Sequence, residues 1–490
     1  MIEASTSTID VVILVGYLLL TLYIGWHVSK SVGKFEDFAV AGRAFGPFML
    51  AATFGATNFS TWSLVGKPGL VYNSGISVVW IAWNAMACIL AAVVFAPIYR
   101  KLNYTTMSEI FEDRYDGRIR GIISVVWVVA DTFNRFGVTV YAAAVILGLL
   151  LGVASQWLVI GIALVVLIYT YLGGLRSVVI TDAIQFVFMW IGLFIGALFI
   201  FGRFGGWNGL VDAIPGQLVE WVPAADKATG WPWILALTVL GFPYFITSQF
   251  VMQRGLAARS VNVAKWGLVF AAVLAIPMAI MEIVPGLAAR AMLTEQTVQR
   301  ISADMIGPQV YMELLPAGLL GLFFASLLAA GISTADSALC GAASLITEDF
   351  YKKQRPDRSG EHYLKVSRVT TVVLAIVGTC WALLVPRFGG AVNAILNVVA
   401  ITDMPIFVIV CLAIFWKRMN AIGALLAVVA GTIAGTIVSI LGVGGIQGLA
   451  VTTLASTSTA LVFAVVASLA IERSSTEQTR LAAFFAKLSR

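Results

Sequence analysis

The stretch FGPFMLAATFGATNFSTWSLVGKPGLVYNSG, residues 45–75, decides the fold class of this chain. It is apolar enough to cross a membrane, yet small and polar residues occupy its centre from Gly55 to Thr61, and Gly66 and Pro68 follow. Such a helix is expected to unwind midway, because free backbone carbonyls at membrane depth are tolerated where they line a cavity or bind an ion. The stretch therefore predicts a broken membrane helix beside a binding site.

Apolar stretches of similar length recur along the whole chain. Its 490 residues are 60% hydrophobic and 11% charged, against about 25% charged in an ordinary soluble domain. In lipid, each stretch must satisfy its own backbone hydrogen bonds, which a helix does. We predict an all-α integral membrane protein, one polytopic domain over residues 1–490, with about thirteen spans. These spans are 10–28, 46–72, 75–98, 121–150, 155–173, 178–202, 233–253, 264–286, 314–347, 364–386, 391–414, 421–441 and 455–471.

Basic residues predict the orientation of these spans. With the N-terminus outside, 24 of the 31 lysines and arginines fall in inner segments, in agreement with the positive-inside rule. The C-terminus is then cytoplasmic, and we expect a multi-pass protein of the plasma or inner membrane. The excess of basic residues in inner segments also explains the net charge of +6. Nucleic-acid binding would need these residues clustered on one face, so we expect no nucleic-acid partner. The first span lacks a basic leader region and a cleavage site, which predicts a retained helix.

Several functional classes lack support in the sequence. The four cysteines lie singly in apolar spans, which favours buried thiols over disulfides, and two histidines build no zinc motif. No nucleophile arrangement or phosphate loop is present, so we expect no enzyme. Fewer than twenty residues follow the last span, which leaves no room for an output domain and argues against a transporter-like membrane sensor.

The ninth span, GLFFASLLAAGISTADSALCGAASLITEDF at 321–350, complements the broken helix. Ser333, Thr334 and Ser337 place hydroxyls at mid-depth, and Asp336 adds a carboxylate. Two carbonyls from a broken helix and two hydroxyls from another helix are suitable ligands for a hard cation such as Na⁺. Close packing of helices through small residues explains the same composition, so the residues alone leave both interpretations open.

Motifs recur in order over most of the chain. They are GATNFSTW, GKPG and SGIS at 55–77, YTYLGGLRSVVITDAIQ at 169–185, QFVMQRGLAARS at 249–260, LLAAGISTADSAL and ITEDFY at 327–351, and FWKR at 415–418. With these motifs the chain resembles the sodium:solute symporter family, which includes proline permeases, sodium/galactose symporters and sialic acid symporters. The resemblance implies a LeuT-like fold and uptake of a solute with Na⁺, the coupling ion, by alternating access.

In that fold, two inverted five-helix repeats carry the transport site. The resemblance places them at about 46–202 and 233–414, with flanking helices 10–28, 421–441 and 455–471. It also implies sodium ligands: the carbonyls of Ala56, Phe59 and Ala330 and the hydroxyls of Ser333 and Thr334.

The resemblance extends to a second sodium site that some relatives have. The matching positions are Asp182, Asp336 and Ser337, but Asp336 stands where those relatives have serine. A proton site or a structural carboxylate is the alternative there, since carboxylates inside membranes usually have a function.

Arg135 lies near the middle of the span 121–150. A charged side chain at this depth needs a partner or a water-filled cavity. Asp131 stands four residues earlier, so an intrahelical ion pair is one interpretation and Asp131 would then position the arginine. The other is that Arg135 binds a substrate carboxylate with its planar fork of donors.

The resemblance favours a role for Arg135 in the solute pocket, because its position matches the carboxylate-binding arginine of sialic acid symporters. It implies pocket neighbours in the broken helix and in the seventh span: Ser60, Thr61, Trp62, Ser63, Tyr244 and Phe245.

Two positions argue against a sugar as the solute. Ser63 and Ala82 stand where relatives have the polar partners of sugar hydroxyls, and unpaired hydroxyls are expensive to bury. We therefore predict a small carboxylate-bearing solute, such as a monocarboxylate or a proline-like amino acid, with an acidic sugar such as sialic acid as the alternative. Lys67 is predicted either to attract anions or to reach the membrane surface, which we favour. Glu282 and Asp403 receive no predicted role.

Overall fold

The computed structural model describes residues 7–227, 229–301, 305–388, 398–443 and 447–489, and this part of the chain is helical, without strands. The long helices are α1 Thr8–Ser29, α2 Pro47–Asn58, α3 Lys67–Ser74, α4 75–102, α5 Gly117–Gly148, α6 Ser155–Phe204, α7 Trp231–Ile246, α8 Gln249–Leu256, α9 Val261–Met292, α10 Leu319–Gln354, α11 Gly360–Leu384, α12 Val399–Phe415, α13 Ala421–Ile440 and α14 Gly448–Ala470. Short connecting helices cover Phe35–Val40, Ala41–Arg43, Glu109–Arg114, Trp207–Asp212, Gly216–Leu218, Glu295–Arg300, Ile306–Leu314 and Val385–Phe388, and Ser475–Ser489 ends the described chain.

The helices follow the predicted spans, but fewer of them qualify as separate membrane crossings. Among the described residues, nine helices are long and apolar enough, with Lys67–Leu102 taken as one, and the bent pair α7 and α8 makes ten. The spans predicted at 155–173 and 178–202 both lie in α6, whose backbone leaves the helical conformation at Gly174 with φ 51° and ψ −148°. The 50 residues of α6 would extend over about 75 Å, which is long enough for two crossings of a bilayer. The span predicted at 391–414 begins outside the described residues, and its described part is α12. The outside N-terminus and the repeat boundaries stay predictions.

The second predicted span is broken, as its composition indicated. Helix α2 ends at Asn58, and Phe59 leaves the helical conformation with φ −85° and ψ 95°. A wider π-helical turn from Trp62 to Gly66 leads into α3, whose second residue is Pro68. Proline is tolerated there because the first turn of a helix needs no partner for that N–H. The interruption leaves carbonyls near Ala56 and Phe59 without the regular helical hydrogen bonds.

The seventh predicted span is interrupted as well. Helices α7 and α8 meet at an angle of 48° after a break at Thr247 and Ser248. Pro243 in the last turn of α7 cannot donate a backbone hydrogen bond, which weakens the helix at this point. Each of the two predicted repeats therefore opens with an interrupted helix.

Helix α10 forms the centre of the bundle. In its most apolar 18-residue window 89% of the residues are buried, against 28% in α1 and α14. Helix α6 packs along it, and Gly192 of α6 allows this approach, because a Cβ there would lie 1.9 Å from the Ser326 hydroxyl. Gly192 opposite Ser326 thus allows α6 and α10 to pack closely, which agrees with one of the two interpretations of the composition of α10.

Candidate solute and sodium sites

The break in α2 faces the hydroxyl residues of α10. The Ser333 hydroxyl lies 3.0 Å from the carbonyl of Ala56 and 3.1 Å from that of Ala330. The Thr334 hydroxyl lies 3.3 Å from the Ala330 carbonyl and 3.4 Å from that of Thr57. Four of the five predicted sodium ligands therefore meet at one point, buried between two helices.

The fifth predicted ligand, Phe59, lies at the break itself. Its N–H still donates to Gly55 at 3.0 Å, while its own backbone has turned out of the helix. The carbonyls and hydroxyls around it are neutral oxygens, the ligand type that suits a hard cation. The chemistry of this donor set fits one Na⁺.

Two of the three residues predicted for a second sodium contact a cation of the protein itself. The Arg254 guanidinium lies 2.9 Å from the Asp182 carboxylate and also donates to the Ser337 hydroxyl. Thr53 bridges the pair, since it lies 2.7 Å from Arg254 and donates to Asp182 at 2.5 Å. Arg254 and Asp182 have fully buried side chains, so the charge of this carboxylate is balanced inside the protein.

Asp336 belongs to the same buried region but contacts other donors. It accepts hydrogen bonds from the Tyr169 hydroxyl and, at 2.9 Å, from the Ser337 hydroxyl. The residue is completely buried. Two hydroxyl donors can stabilise such a carboxyl group in place of a metal ion.

Arg135 is enclosed by two aspartates. Its guanidinium donates to Asp131 at 2.7 Å, the predicted intrahelical pair, and to Asp403 at 2.5 Å. It also lies 4.7 Å from the ring centre of Phe250. The arginine side chain is 5% exposed and the two aspartates are 1% and 0% exposed. This cluster carries one excess negative charge when all three groups are ionised.

A cavity of about 170 Å³ lies beside the broken helix. Pockets for drug-sized ligands enclose about 300–1,000 Å³, so this volume suits a small solute. The lining is mostly apolar, with the side chains of Leu237, Leu240 and Met278 among others. Its polar members come from five helices and from the break between α2 and α3: Asn58, Ser60, Ser63, Lys67, Asn84, Tyr244 and Glu282.

The predicted solute residues divide between the cavity and its surroundings. Ser60, Ser63 and Tyr244 line it, together with Ala82. Thr61 points to α10, where a Cβ at Gly331 would lie 3.5 Å from its hydroxyl, and Phe245 packs against Tyr244 in an edge-on contact. Arg135 and its positioning residue Asp131 are not among the lining residues, and the side chain of Trp62 lies outside the described part.

Lys67 corrects one prediction. We favoured a lysine that reaches the membrane surface, but it is 6% exposed and forms an ion pair with Glu282 of α9. Both members of the pair line the cavity.

Sequence reasoning missed the partners of the buried cations. Glu282, Asp403 and Arg254 each complete an ion pair inside the bundle. The signal was available, because charged residues within membrane spans usually pair with one another. The two members of each pair are far apart in the chain. Their separation ranges from 72 positions for Arg254 and Asp182 to 268 positions for Arg135 and Asp403, so no local pattern reveals the pairing.

Another missed group lies at the predicted cytoplasmic end of α10. Asp349 accepts hydrogen bonds from Arg120 at 2.5 Å and from Thr106 at 2.9 Å, as well as from Ser108 and Ser124. Glu109 lies in the same segment between α4 and α5 as Thr106 and Ser108. Burial raises the pKa of its carboxyl group, which accepts hydrogen bonds from backbone N–H groups. These contacts join α5 to α10 on the side away from the predicted outside.

Comparison with known proteins agrees with this architecture. A model of the sodium:solute symporter family matches residues 38–431. A sodium/glucose cotransporter of Vibrio parahaemolyticus is 28% identical over 88% of this chain and 84% of its own length. A sodium/myo-inositol cotransporter 2 of Oryctolagus cuniculus is 30% identical over 87% of this chain and 69% of its own.

Solved structures show the same fold. A Na⁺-coupled sialic acid symporter, in a substrate-bound outward-open state, superposes with a TM-score of 0.82 at 23% identity, over 95% of this chain and 98% of the other. A nucleobase-cation-symport-1 family transporter gives 0.61 at 15% identity, over 91% and 98%. The fold is the predicted LeuT-like one.

Proposed function

The chain belongs to the sodium:solute symporter family, and we propose that the solute it carries with Na⁺ is a small carboxylate-bearing molecule such as a monocarboxylate or an amino acid. The observation that carries this proposal is the small cavity beside the broken helix, lined by the buried cation Lys67. A buried ammonium group needs an anionic partner, and a solute carboxylate in the cavity can exchange with the Glu282 carboxylate that now pairs with Lys67.

The sodium ligands that we propose are Ala56, Phe59, Ala330, Ser333 and Thr334. The short distances between the Ser333 hydroxyl and two carbonyls support this site, because small rotations of the hydroxyls turn their oxygens towards a shared cation. Phe59 and Ser60 also line the cavity. Solute and ion would then contact the same interrupted backbone, which gives a physical route for coupling between them.

We propose that Asp182, Asp336 and Ser337 have a structural role and bind no sodium. The transporter would then couple to a single Na⁺. The support is the Arg254 guanidinium, which contacts Asp182 and Ser337. A second cation there would meet a fixed positive charge at short range. The alternative, a second sodium, predicts a steeper dependence of uptake on Na⁺ than a single site gives.

Arg135 remains a predicted ligand of the solute carboxylate, but only if the solute can displace one of its aspartate partners. Two aspartates hold its donors in this structure, so a solute would have to displace at least one of them. We propose that Lys67 rather than Arg135 meets the solute carboxylate in the cavity.

A sugar is the second candidate solute, because the relatives named above are sodium/glucose and sodium/myo-inositol cotransporters. An acidic sugar combines a carboxylate with hydroxyls. The mostly apolar lining and Ala82 offer few partners for those hydroxyls, which favours the smaller carboxylate.

The test is a thermal-shift screen of the purified full-length chain with organic acids, amino acids, neutral hexoses and sialic acid, in Na⁺ and in K⁺ buffers. We expect stabilisation by a small carboxylate in Na⁺ only, and Na⁺-dependent uptake of the same compound in proteoliposomes. Stabilisation by hexoses and by no small carboxylate would overturn the solute assignment.

A further inference from the structure

The ion pair of Lys67 and Glu282 joins two closely packed helices. Lys67 is the first residue of α3, and Glu282 lies in α9 between two prolines, Pro277 and Pro285. Gly286, one turn beyond Glu282, lets the helices touch, because a Cβ there would lie 2.6 Å from the carbonyl of Pro68. The backbones that carry the two charges are therefore held in fixed positions.

Both charges face the cavity while remaining shielded from bulk water. Their side chains are 8% and 5% exposed, and both residues line the cavity. Among the residues that the structure describes, Lys67 is the partner recorded for Glu282. One oxygen of that carboxylate, Oε1, is thus available to a ligand in the cavity.

Stability alone does not explain this pair. Replacing a buried ion pair with apolar residues of similar volume is often neutral or stabilising, because both charges lose their hydration. A pair that lines a ligand cavity can instead serve recognition, since each charge can exchange its partner for a group of the solute. The surrounding Leu237, Leu240 and Met278 offer no competing charge.

The balance of charge selects the type of solute. The cavity holds one ammonium and one carboxylate, so it is neutral when both are ionised. A simple carboxylate would leave one buried negative charge in excess, and a simple amine would leave one positive charge, and both are expensive in this environment. A zwitterion adds no net charge and offers one partner to each side chain.

We propose that Lys67 and Glu282 form the recognition site for a zwitterionic solute of the amino acid class. Lys67 binds the solute carboxylate, Glu282 binds its ammonium group, and the solute separates the direct ion pair. This assignment rests on the proposed function, because it requires that a carboxylate-bearing solute enters this cavity. It narrows that class by requiring a positive charge on the same molecule.

The experiment uses compounds of similar size that differ in which charged groups they carry. Alanine, propionate and isopropylamine are compared, as are proline, cyclopentanecarboxylate and pyrrolidine, by thermal shift and by competition for Na⁺-dependent uptake with the full-length chain. We expect the preferred zwitterion to bind at least about 10-fold more tightly than its matched acid, which corresponds to about 1.4 kcal/mol.

Charge variants then identify the residues responsible. Glu282→Gln leaves a net positive cavity, so the preference for the zwitterion over the matched acid should disappear or reverse. Lys67→Met should shift the preference towards the amine. The control Lys352→Met removes a lysine paired with Glu348 far along α10, at 41% side-chain exposure, and should leave every preference unchanged.

The outcomes separate this inference from the proposed function. If acids bind the wild-type chain as tightly as zwitterions, and Glu282→Gln changes nothing, the inference fails while the carboxylate assignment stands. If no carboxylate binds at all, the proposed function fails. Should the single variants not fold, Lys67→Met with Glu282→Met restores neutrality, and a retained zwitterion preference in it would exclude the pair as the recognition site.

Discussion

Arg135 and Lys67 are both cations within predicted membrane spans, yet their surroundings differ. Arg135 donates to two aspartates and stacks against Phe250, outside the cavity lining. Lys67 is paired with Glu282 and lines the cavity. Depth in a span thus indicates that a charge needs a partner. Which charge is available to a solute depends on how completely the protein already neutralises it.

The largest expected effect concerns the enclosed cation. Arg135→Met leaves Asp131 and Asp403 buried without their counter-charge, which should destabilise the fold by about 3–5 kcal/mol. The midpoint of thermal unfolding in detergent measures this loss. Lys67→Met should lower this midpoint less, because Glu282, the carboxylate left behind, borders a cavity that can admit water.

Neutralising the aspartates provides the control for that comparison. Arg135→Met combined with Asp131→Asn and Asp403→Asn should recover much of the stability, since no unpaired charge remains. A single Arg135→Met variant as stable as the wild type, with altered solute preference, would show instead that Arg135 serves the solute.

The next effect concerns the proposed sodium ligands. Ser333→Ala removes one oxygen from the proposed site, and we expect the Na⁺ concentration for half-maximal uptake to rise about 10-fold, or about 1.4 kcal/mol. The matched control is Ser344→Ala on the same helix, whose hydroxyl donates to the Cys340 carbonyl at 2.8 Å. Equal Na⁺ dependence in both variants would contradict the proposed site.

A smaller effect sharpens the comparison of the two cations directly. Arg135→Lys keeps the charge between the aspartates but loses the planar fork. If Arg135 is structural, the KM for the solute should change less than about 3-fold, or about 0.7 kcal/mol. A rise of ten-fold or more without loss of thermal stability would make Arg135 the carboxylate ligand.

The smallest expected effect concerns Asp336. Asp336→Asn keeps an acceptor for the hydroxyls of Tyr169 and Ser337, so a structural role predicts normal uptake. We expect the Hill coefficient for Na⁺ to stay near that of the wild type, as for a single coupled ion. A clear fall in the coefficient would assign a second sodium to this carboxylate.

Much of the architecture follows from local patterns in the chain. The break after Asn58 was predicted from small and polar residues in an apolar stretch, and the structure shows it. The family and its sodium coupling were recognised from motifs, and the comparisons agree. The predicted boundary between the spans 155–173 and 178–202 also lies where the backbone of α6 leaves the helical conformation, at Gly174.

The candidate site was predicted less completely. Four of the five predicted sodium ligands meet in space. The cavity, however, contains Lys67, for which a position at the membrane surface was favoured over attraction of anions, and Glu282, which had no predicted role. Arg254 was recognised only as part of a motif, although its guanidinium lies between Asp182 and Ser337. Each of these pairs joins residues far apart in the chain.

The sequence by itself determined that this is a helical membrane protein with interrupted helices and a sodium-coupled transporter fold. The helices and their breaks depend on hydrophobicity and backbone hydrogen bonding, which short segments encode, whereas the sodium-coupled fold was implied by the resemblance of the motifs to the family. The tertiary structure decided which buried charges pair, and therefore which of them borders the cavity. Pairing depends on distances between helices, and those distances are set by packing across the whole bundle.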